Sequence, residues 1–339
     1  MDTLTPNMSE WRKDPLVRRW TIIAPERAER PYTLKEGEFL CPFCEGMESC
    51  TPKEVLSVRQ PGTLPNQPGW LVRVFPNKYP ALRKGIPLES REDNLYHSMS
   101  GFGIHEVIVE TPRHAIDFAE LPQDHLAKVL SVYRERLKSL GEEEGLRYGL
   151  LFKNQGMEAG ASMSHAHSQI IATPIIPQAI LEELWSSVEW YRKKGKCPFC
   201  ELVERERETG ERVVLSGNHF VVFIPYAARF PFEMMILPVE HSPSFLGEEH
   251  LEELAETLSR VLRGAREFLG TFSFNFVLHN VPYHARKEEE ESYHWHLEVL
   301  PTSLRVAGFE WGSGFAINVV RPEEAASKLR FFVESLEGE

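Results

Sequence analysis

Residues 163–171 read MSHAHSQII and set His165, His167 and Gln169 two positions apart. In an extended strand successive side chains alternate between faces, so these three project from one side while Ala166 and Ser168 take the other. Two imidazoles and an amide in a row make a small polar site. A neutral imidazole nitrogen is a metal ligand, a general base or a nucleophile, and with an ordinary pKa of about 6.5 it is largely neutral at pH 7. An H-x-H alone fits a solvated strand face equally well, so its weight rests on what accompanies it.

Four of the five cysteines accompany it. Cys41-Pro42-Phe43-Cys44 recurs letter for letter as Cys197-Pro198-Phe199-Cys200, while Cys50 has no counterpart and is read as structural. Two cysteines separated by two residues grip one ion from a single turn, and a tetrahedral site then needs two further nitrogen or sulfur ligands. His114 lies 51 residues before His165, and His241 lies 53 residues before His294. The predicted ligand sets are therefore Cys41, Cys44, His114 and His165, and Cys197, Cys200, His241 and His294. Redox chemistry competes, because Cys-Pro-aromatic-Cys also fits a glutaredoxin-like dithiol. That motif needs no histidine partners, and duplication with matched histidines favours metal.

An ion on His165 fixes the strand that carries His167. His167 is then a pre-aimed imidazole; attack on phosphorus gives a phosphoramidate, which can pass its cargo to a second acceptor. Gln169 can hydrogen-bond a phosphoryl oxygen without adding negative charge. Just upstream, KNQGMEAGAS at 153–162 brings Lys153, two glycines and Ser162 near the strand, where small residues let backbone N–H groups approach an anion. Arg27 and Arg30 offer forked donors for phosphate oxygens, and Asn77 and Lys78 follow an expected strand. His125 and His250 open helices among acidic neighbours and are read as surface residues. His97, His105, His219, His279 and His284 carry no spacing argument and are assigned no role.

The elements that position these residues come twice. WLVRVFPNKYPAL at 70–82 answers NHFVVFIPYAARF at 218–230; HEVIVETPRH at 105–114 answers FEMMILPVEH at 232–241; YGLLFKNQG at 148–156 answers FNFVLHNVP at 274–282; and His165-x-His167 answers His294-x-His296. A helical stripe follows in each half, through Leu126, Val129, Leu130, Tyr133, Leu137 and Leu140, then through Leu251, Leu254, Leu258, Val261, Leu262, Ala265 and Phe268. This order predicts two homologous halves, 1–180 and 181–339, each an antiparallel sheet with helices on one face, an α+β fold. Residues 177–195 read as a helical connector and 322–336 as a last helix.

At 339 residues, 42% hydrophobic and 26% charged, the chain belongs with folded, water-soluble proteins. A formal charge of −12 argues against a nucleic-acid binder. Without a membrane-length apolar run or a leader-like start, the expected compartment is the cytoplasm, with no membrane partner.

H-A-H-S-Q preceded by GAS, combined in order with CPFC, ERAERP, VFPNKYPAL and TPRH, resembles the galactose-1-phosphate uridylyltransferase family, a branch of the histidine-triad superfamily, over nearly the whole chain. The resemblance implies two tandem histidine-triad-like halves and a ping-pong exchange between a nucleotide sugar and a hexose 1-phosphate. In it, His167 takes the nucleotidyl group, Gln169 steadies the intermediate, and Arg27, Arg30, Asn77, Asn154, Gly160 and Ser162 contact nucleotide and phosphates. It further implies two zinc ions per chain, the second being zinc or iron, and a homodimer whose sites draw on both subunits. The leading expectation is transfer between UDP-glucose and galactose 1-phosphate. Departures favour alternatives. Ala161 stands where better-known members have cysteine, and Glu298 replaces the second glutamine, leaving that half as scaffold. In AGFEWGSGFAIN, 307–318, the expected lysine and glutamine are missing, although Glu310 matches a sugar-contacting glutamate. The pattern there is similar to ADP-glucose phosphorylases, which handle adenylyl groups and accept inorganic phosphate; a non-catalytic nucleotide-binding protein is the third reading.

Overall fold

The strand His167–Thr173 sits inside a ten-stranded, wholly antiparallel sheet. It pairs on one side with Ile104–Val109, Val109 opposite His167 and Val107 opposite Gln169, and on the other with Tyr148–Gln155, Phe152 opposite Gln169. The computed structural model describes residues 8–17, 19–29, 41–114, 117–302 and 306–336. Arg30 lies outside them.

The duplication is visible in the strand order. From the junction between Tyr148–Gln155 and Phe274–His279, the N-terminal half continues outward through His167–Thr173, Ile104–Val109, Trp70–Pro76 and Leu56–Arg59. The C-terminal half continues through His296–Pro301, Met234–Pro238, Phe220–Phe223 and Val213–Ser216. Each half contributes five strands in the same relative order. Rather than two separate sheets, the halves make one, joined where Phe276 faces Lys153 and Leu278 faces Leu151. The junction satisfies two edges that would otherwise present unpaired backbone groups.

Alternation divides each strand between two environments. On one face Val74, Ile108, Leu151, Ile170, Ile236, Phe276, Leu278 and Leu297 form a continuous core beneath the helices Gln123–Gly141 and Leu251–Leu269. The expected stripes point into it: Leu126, Leu130, Tyr133 and Leu137 from the first helix, Leu254, Leu258, Val261 and Leu262 from the second. The last helix, Pro322–Ser335, crosses the second so closely that a Cβ on Gly264 would lie 2.5 Å from Cγ2 of Val333.

The opposite face differs between halves. In the N-terminal half it is covered by the loop at Cys41–Cys50, whose Phe43 packs on Trp70, Phe75, Val107 and Val109. In the C-terminal half the connector helix Gln178–Lys194, ended by Gly195 at φ 70°, and the helix Pro198–Thr209 lie there. They bury Ile180, Leu184, Val203 and Phe199 against Val221, Phe223 and Tyr293. Helices thus occupy a second face where one was expected, because the connector's own apolar stripe needs cover. A small sheet of Trp20–Ile23, Glu10–Lys13, Tyr96–Ser100 and Ser90–Asp93 was not foreseen; its strands are short and largely polar. Among the described residues no helix is long and apolar enough to cross a membrane.

Beneath the H-x-H strand, on the helix side, Lys153 and Glu110 form an ion pair at 2.6 Å with side chains 1% and 0% exposed. Glu110 also accepts from Tyr133 at 2.5 Å and from Ser168, while Lys153 Nζ donates to the carbonyl of His167 at 3.2 Å. Removing one partner of such a pair leaves a buried charge uncompensated. Lys153→Met is expected to cost about 3–5 kcal/mol of stability. The Lys153→Met, Glu110→Leu double variant should cost less, as measured by denaturant unfolding; equal losses would show that the charges are not coupled.

Candidate active site and metal centres

Both predicted Cys₂His₂ sets come together, with the four ligand atoms of each within 4.8 Å of one another. In the first, Cys44 Sγ lies 3.4 Å from His114 Nδ1 and 3.8 Å from His165 Nδ1, and Cys41 Sγ lies 3.6 Å from His165 Nδ1. In the second, Cys200 Sγ lies 3.5 Å from His241 Nδ1 and 3.4 Å from His294 Nε2. A tetrahedral zinc ion about 2.3 Å from sulfur and about 2.0–2.1 Å from nitrogen holds S and N about 3.6 Å apart, so the donor sets fit such an ion. Two of the far nitrogens are oriented from behind: His165 Nε2 donates to the Thr111 carbonyl at 2.7 Å, and His241 Nε2 to that of Glu290 at 3.0 Å, whereas the buried Nδ1 of His294 has no such partner among the described residues. Burial pushes the Cys41 thiol up to about 11, so a thiolate there depends on a cation.

The first Cys-x-x-Cys loop reaches the strand through Phe43, whose ring stands 6.1 Å from that of His165 and 5.4 Å from that of His167. The loop itself is tied to the sheet by Glu48, which accepts from Trp70 Nε1 at 2.7 Å and from Gly46 N–H at 3.0 Å. His167 donates from Nδ1 to the carbonyl of His165 at 2.8 Å. Its proton is thereby placed on Nδ1, leaving the lone pair on Nε2. Burial lowers its pKa to about 4, so the ring is neutral at pH 7.

The remaining predicted residues divide. Gln169, Asn77 and Arg27 gather on one ring, that of His105: Gln169 Oε1 and Asn77 Nδ2 approach its Nε2 at 2.9 and 3.2 Å, and Arg27 Nη1 approaches Nδ1 at 3.4 Å. Asn154 accepts at 2.9 Å from Asn275, which also donates to the carbonyl of Ala159 at 2.9 Å and so clamps the loop that carries Gly160 and Ser162. Gly160 has φ +85°, a conformation that favours glycine. Glu310 lies elsewhere within the chain. Its carboxylate accepts from Ala307 N–H at 3.1 Å, and it lines a cavity of about 810 Å³ with Arg229, Trp311 and Phe315.

His105 and His279 were left without roles by sequence, and Asn275 went unnoticed. The signal for His105 is strand alternation: His105, Val107 and Val109 share the face of His167 once the register is known. His279 belongs to a third cluster, Glu183, His279, His296 and Glu298, again within 4.8 Å. Glu183 binds His279 Nδ1 at 2.9 Å and Tyr293 at 2.5 Å; burial alone would raise its pKa, but these partners hold it near 2. Glu298, in the position of Gln169, is paired with Arg229 at 2.8 Å. His296, in the position of His167, is thus walled in by two carboxylates and is 1% exposed. His125 is half-buried, its Nε2 donating to the Glu110 carbonyl at 2.7 Å, while His250 is exposed and stacks on His219.

Comparison with known proteins finds two family matches in succession along the chain. The family described as "Galactose-1-phosphate uridyl transferase, N-terminal domain" matches residues 2–177, and its C-terminal counterpart matches 183–330. The chain is 33% identical to an ADP-glucose phosphorylase of Arabidopsis thaliana, covering 97% of this chain and 94% of that protein. It is 31% identical to a galactose-1-phosphate uridylyltransferase of Thermotoga maritima, with 95% and 98% covered. Among solved structures, an Arabidopsis thaliana ADP-glucose phosphorylase with bound ADP-glucose superposes with a TM-score of 0.77 at 34% identity, covering 95% and 98% of the two chains. A uridylyltransferase superposes at 0.81 and 30%, covering 96% and 99%.

The two Cys₂His₂ sets make separable predictions. Elemental analysis of purified protein is expected to find two ions per chain, with Cys44→Ala and Cys200→Ala each losing one. Only the first variant should also lose His167 reactivity, by about 10- to 100-fold. Retention of both ions by either variant would remove that set.

Proposed function

This chain belongs to the galactose-1-phosphate uridyl transferase family, and on that footing we propose that it moves an adenylyl group from ADP-glucose to inorganic phosphate through a covalent intermediate on His167. The observation that carries the reading is the buried, neutral imidazole whose Nδ1 is committed to the His165 carbonyl, with Nε2 left as nucleophile. Nε2 attacks the α-phosphorus, the N–P bond forms, and the bond from that phosphorus to the bridging oxygen breaks, releasing glucose 1-phosphate. An oxygen of inorganic phosphate then attacks the same phosphorus, the N–P bond breaks, ADP leaves and the imidazole returns neutral. Gln169 donates to a non-bridging oxygen as charge gathers there, and Arg27, Arg30, Asn77, Asn154 and the Gly160–Ser162 loop bind nucleotide and phosphates. Zinc on Cys41, Cys44, His114 and His165 supplies rigidity to the strand, and zinc or iron on the second set holds the scaffold half.

The choice of adenylyl over uridylyl rests on residues 307–318, where the lysine and glutamine expected for galactose 1-phosphate are absent, and on the likeness to the Arabidopsis phosphorylase. Uridylyl transfer between UDP-glucose and galactose 1-phosphate is the second reading, favoured by Glu310 and by the Thermotoga relative. The protein acts as a homodimer. Phe309, Trp311, Phe315, Ile317 and Val319 are exposed on one segment beside Glu310, and a second copy of the chain gives them cover. Sedimentation of Trp311→Asp should accordingly show monomer where the native chain shows dimer.

Mixing the protein with α-³²P-labelled ADP-glucose should leave an acid-labile, base-stable label with one equivalent of glucose 1-phosphate released per site, and phosphate should discharge the label as ADP. His167→Asn should take none. Labelling by UDP-glucose alone would favour the second reading, and full labelling of His167→Asn would end both.

A further inference from the structure

Three side chains predicted to touch substrate, Arg27, Asn77 and Gln169, converge on His105. The ring is 3% exposed and sits on the strand Ile104–Val109, beside the H-x-H strand. Its Nδ1 lies 3.0 Å from the Ala81 N–H and 3.4 Å from Arg27 Nη1. Both neighbours are donors with no acceptor capacity, so Nδ1 carries the lone pair. The proton of the neutral ring is on Nε2, 2.9 Å from Gln169 Oε1. A second donor reaches the same oxygen: Asn77 Nδ2 stands 3.4 Å from it and 3.2 Å from His105 Nε2, so with the proton on Nε2 the two N–H groups converge side by side on Oε1. The Asn77 amide is itself oriented, because its Oδ1 accepts from the Tyr79 N–H at 2.9 Å. Two backbone amides of the segment 77–82, at Tyr79 and Ala81, therefore propagate through Asn77 and His105 to a single oxygen of Gln169.

We propose that His105 is a positioning residue that fixes the amide orientation of Gln169, holding its carbonyl oxygen toward Asn77 and His105 so that its NH₂ group is the end offered to the nucleotidyl phosphate. An amide side chain is symmetric enough to turn over, and a turned Gln169 meets phosphate with a carbonyl oxygen and repels it. With two donors on Oε1, the turned state sets NH₂ against N–H and is disfavoured by the loss of two hydrogen bonds. His105 thus selects the productive state before substrate arrives. This rests on the nucleotidyl-transfer reading for its consequence but not for its geometry.

Two measurements test it. In the substrate-free native chain, long-range ¹⁵N–¹H correlation of labelled histidines should find His105 neutral, with Nδ1 bare and Nε2 protonated; a protonated Nδ1 overturns the proposal whatever the activity. In single-turnover labelling by ADP-glucose, His105→Asn keeps an acceptor near Ala81 but no donor at Nε2. It should slow the step about 10- to 100-fold with little change in KM. His105→Gln, which restores an N–H near the Nε2 position, should recover most of that loss. In a Gln169→Ala background, His105→Asn should have no further effect. Equal fold losses in both backgrounds mean a merely structural role and overturn it. Failure of the native chain to take label would instead count against the nucleotidyl reading, and the tautomer result stands separately.

Discussion

The hydrogen bond from His167 Nδ1 to the carbonyl of His165 decides which nitrogen of a buried ring keeps its lone pair. Much of the surrounding structure serves to hold that one geometry. The carbonyl belongs to a residue whose own ring closes a Cys₂His₂ set, so whatever fixes His165 also fixes the acceptor that sets the tautomer of its neighbour. Phe43, from the same Cys-x-x-Cys loop, braces both rings from above the sheet. From below, Lys153 holds the carbonyl of His167, and Glu110 holds Ser168 and Tyr133. The strand is gripped on both faces, which a short polar segment needs because its own side chains supply little apolar burial.

Duplication gives an internal control for what matters in this arrangement. The C-terminal half repeats the Cys₂His₂ set, the aromatic brace through Phe199 and even the contact from His296 Nδ1 to the His294 carbonyl, at 3.2 Å. It differs in what meets the second histidine. Glu183, His279 and Tyr293 close around His296, and Glu298 puts a carboxylate where Gln169 has a neutral amide. One scaffold thus sets a neutral amide on the face of the second histidine in one half and paired charges there in the other. The connector helix Gln178–Lys194 does the closing, since it carries Glu183 onto the sheet.

Much of this was legible in the chain itself because it depends on local periodicity and repeated spacing. The alternation of His167 and Gln169, the two cysteine pairs with their histidines, the helical stripes and the connector at 177–195 are short-range or repeated signals and appear where the residues placed them, while His165 stands on the bend just before the strand. The small sheet containing Glu10–Lys13 was not legible, since its short strands show no clean alternation of burial. Neither was the joining of the two sheets at Tyr148–Gln155 and Phe274–His279, because edge-to-edge pairing leaves no mark in either strand's own pattern.

By itself the sequence determined which residue types share a strand face and which cysteines and histidines can meet, because chemistry and period-two geometry are properties of the chain. Only the tertiary structure decided what stands behind them: that His105 backs Gln169, that Asn275 from the other half clamps the Gly160 loop, and that Glu183 closes off His296. Those partners come from strands and helices far away in sequence. Their contacts depend on sheet register and helix placement, which no local pattern of side chains encodes.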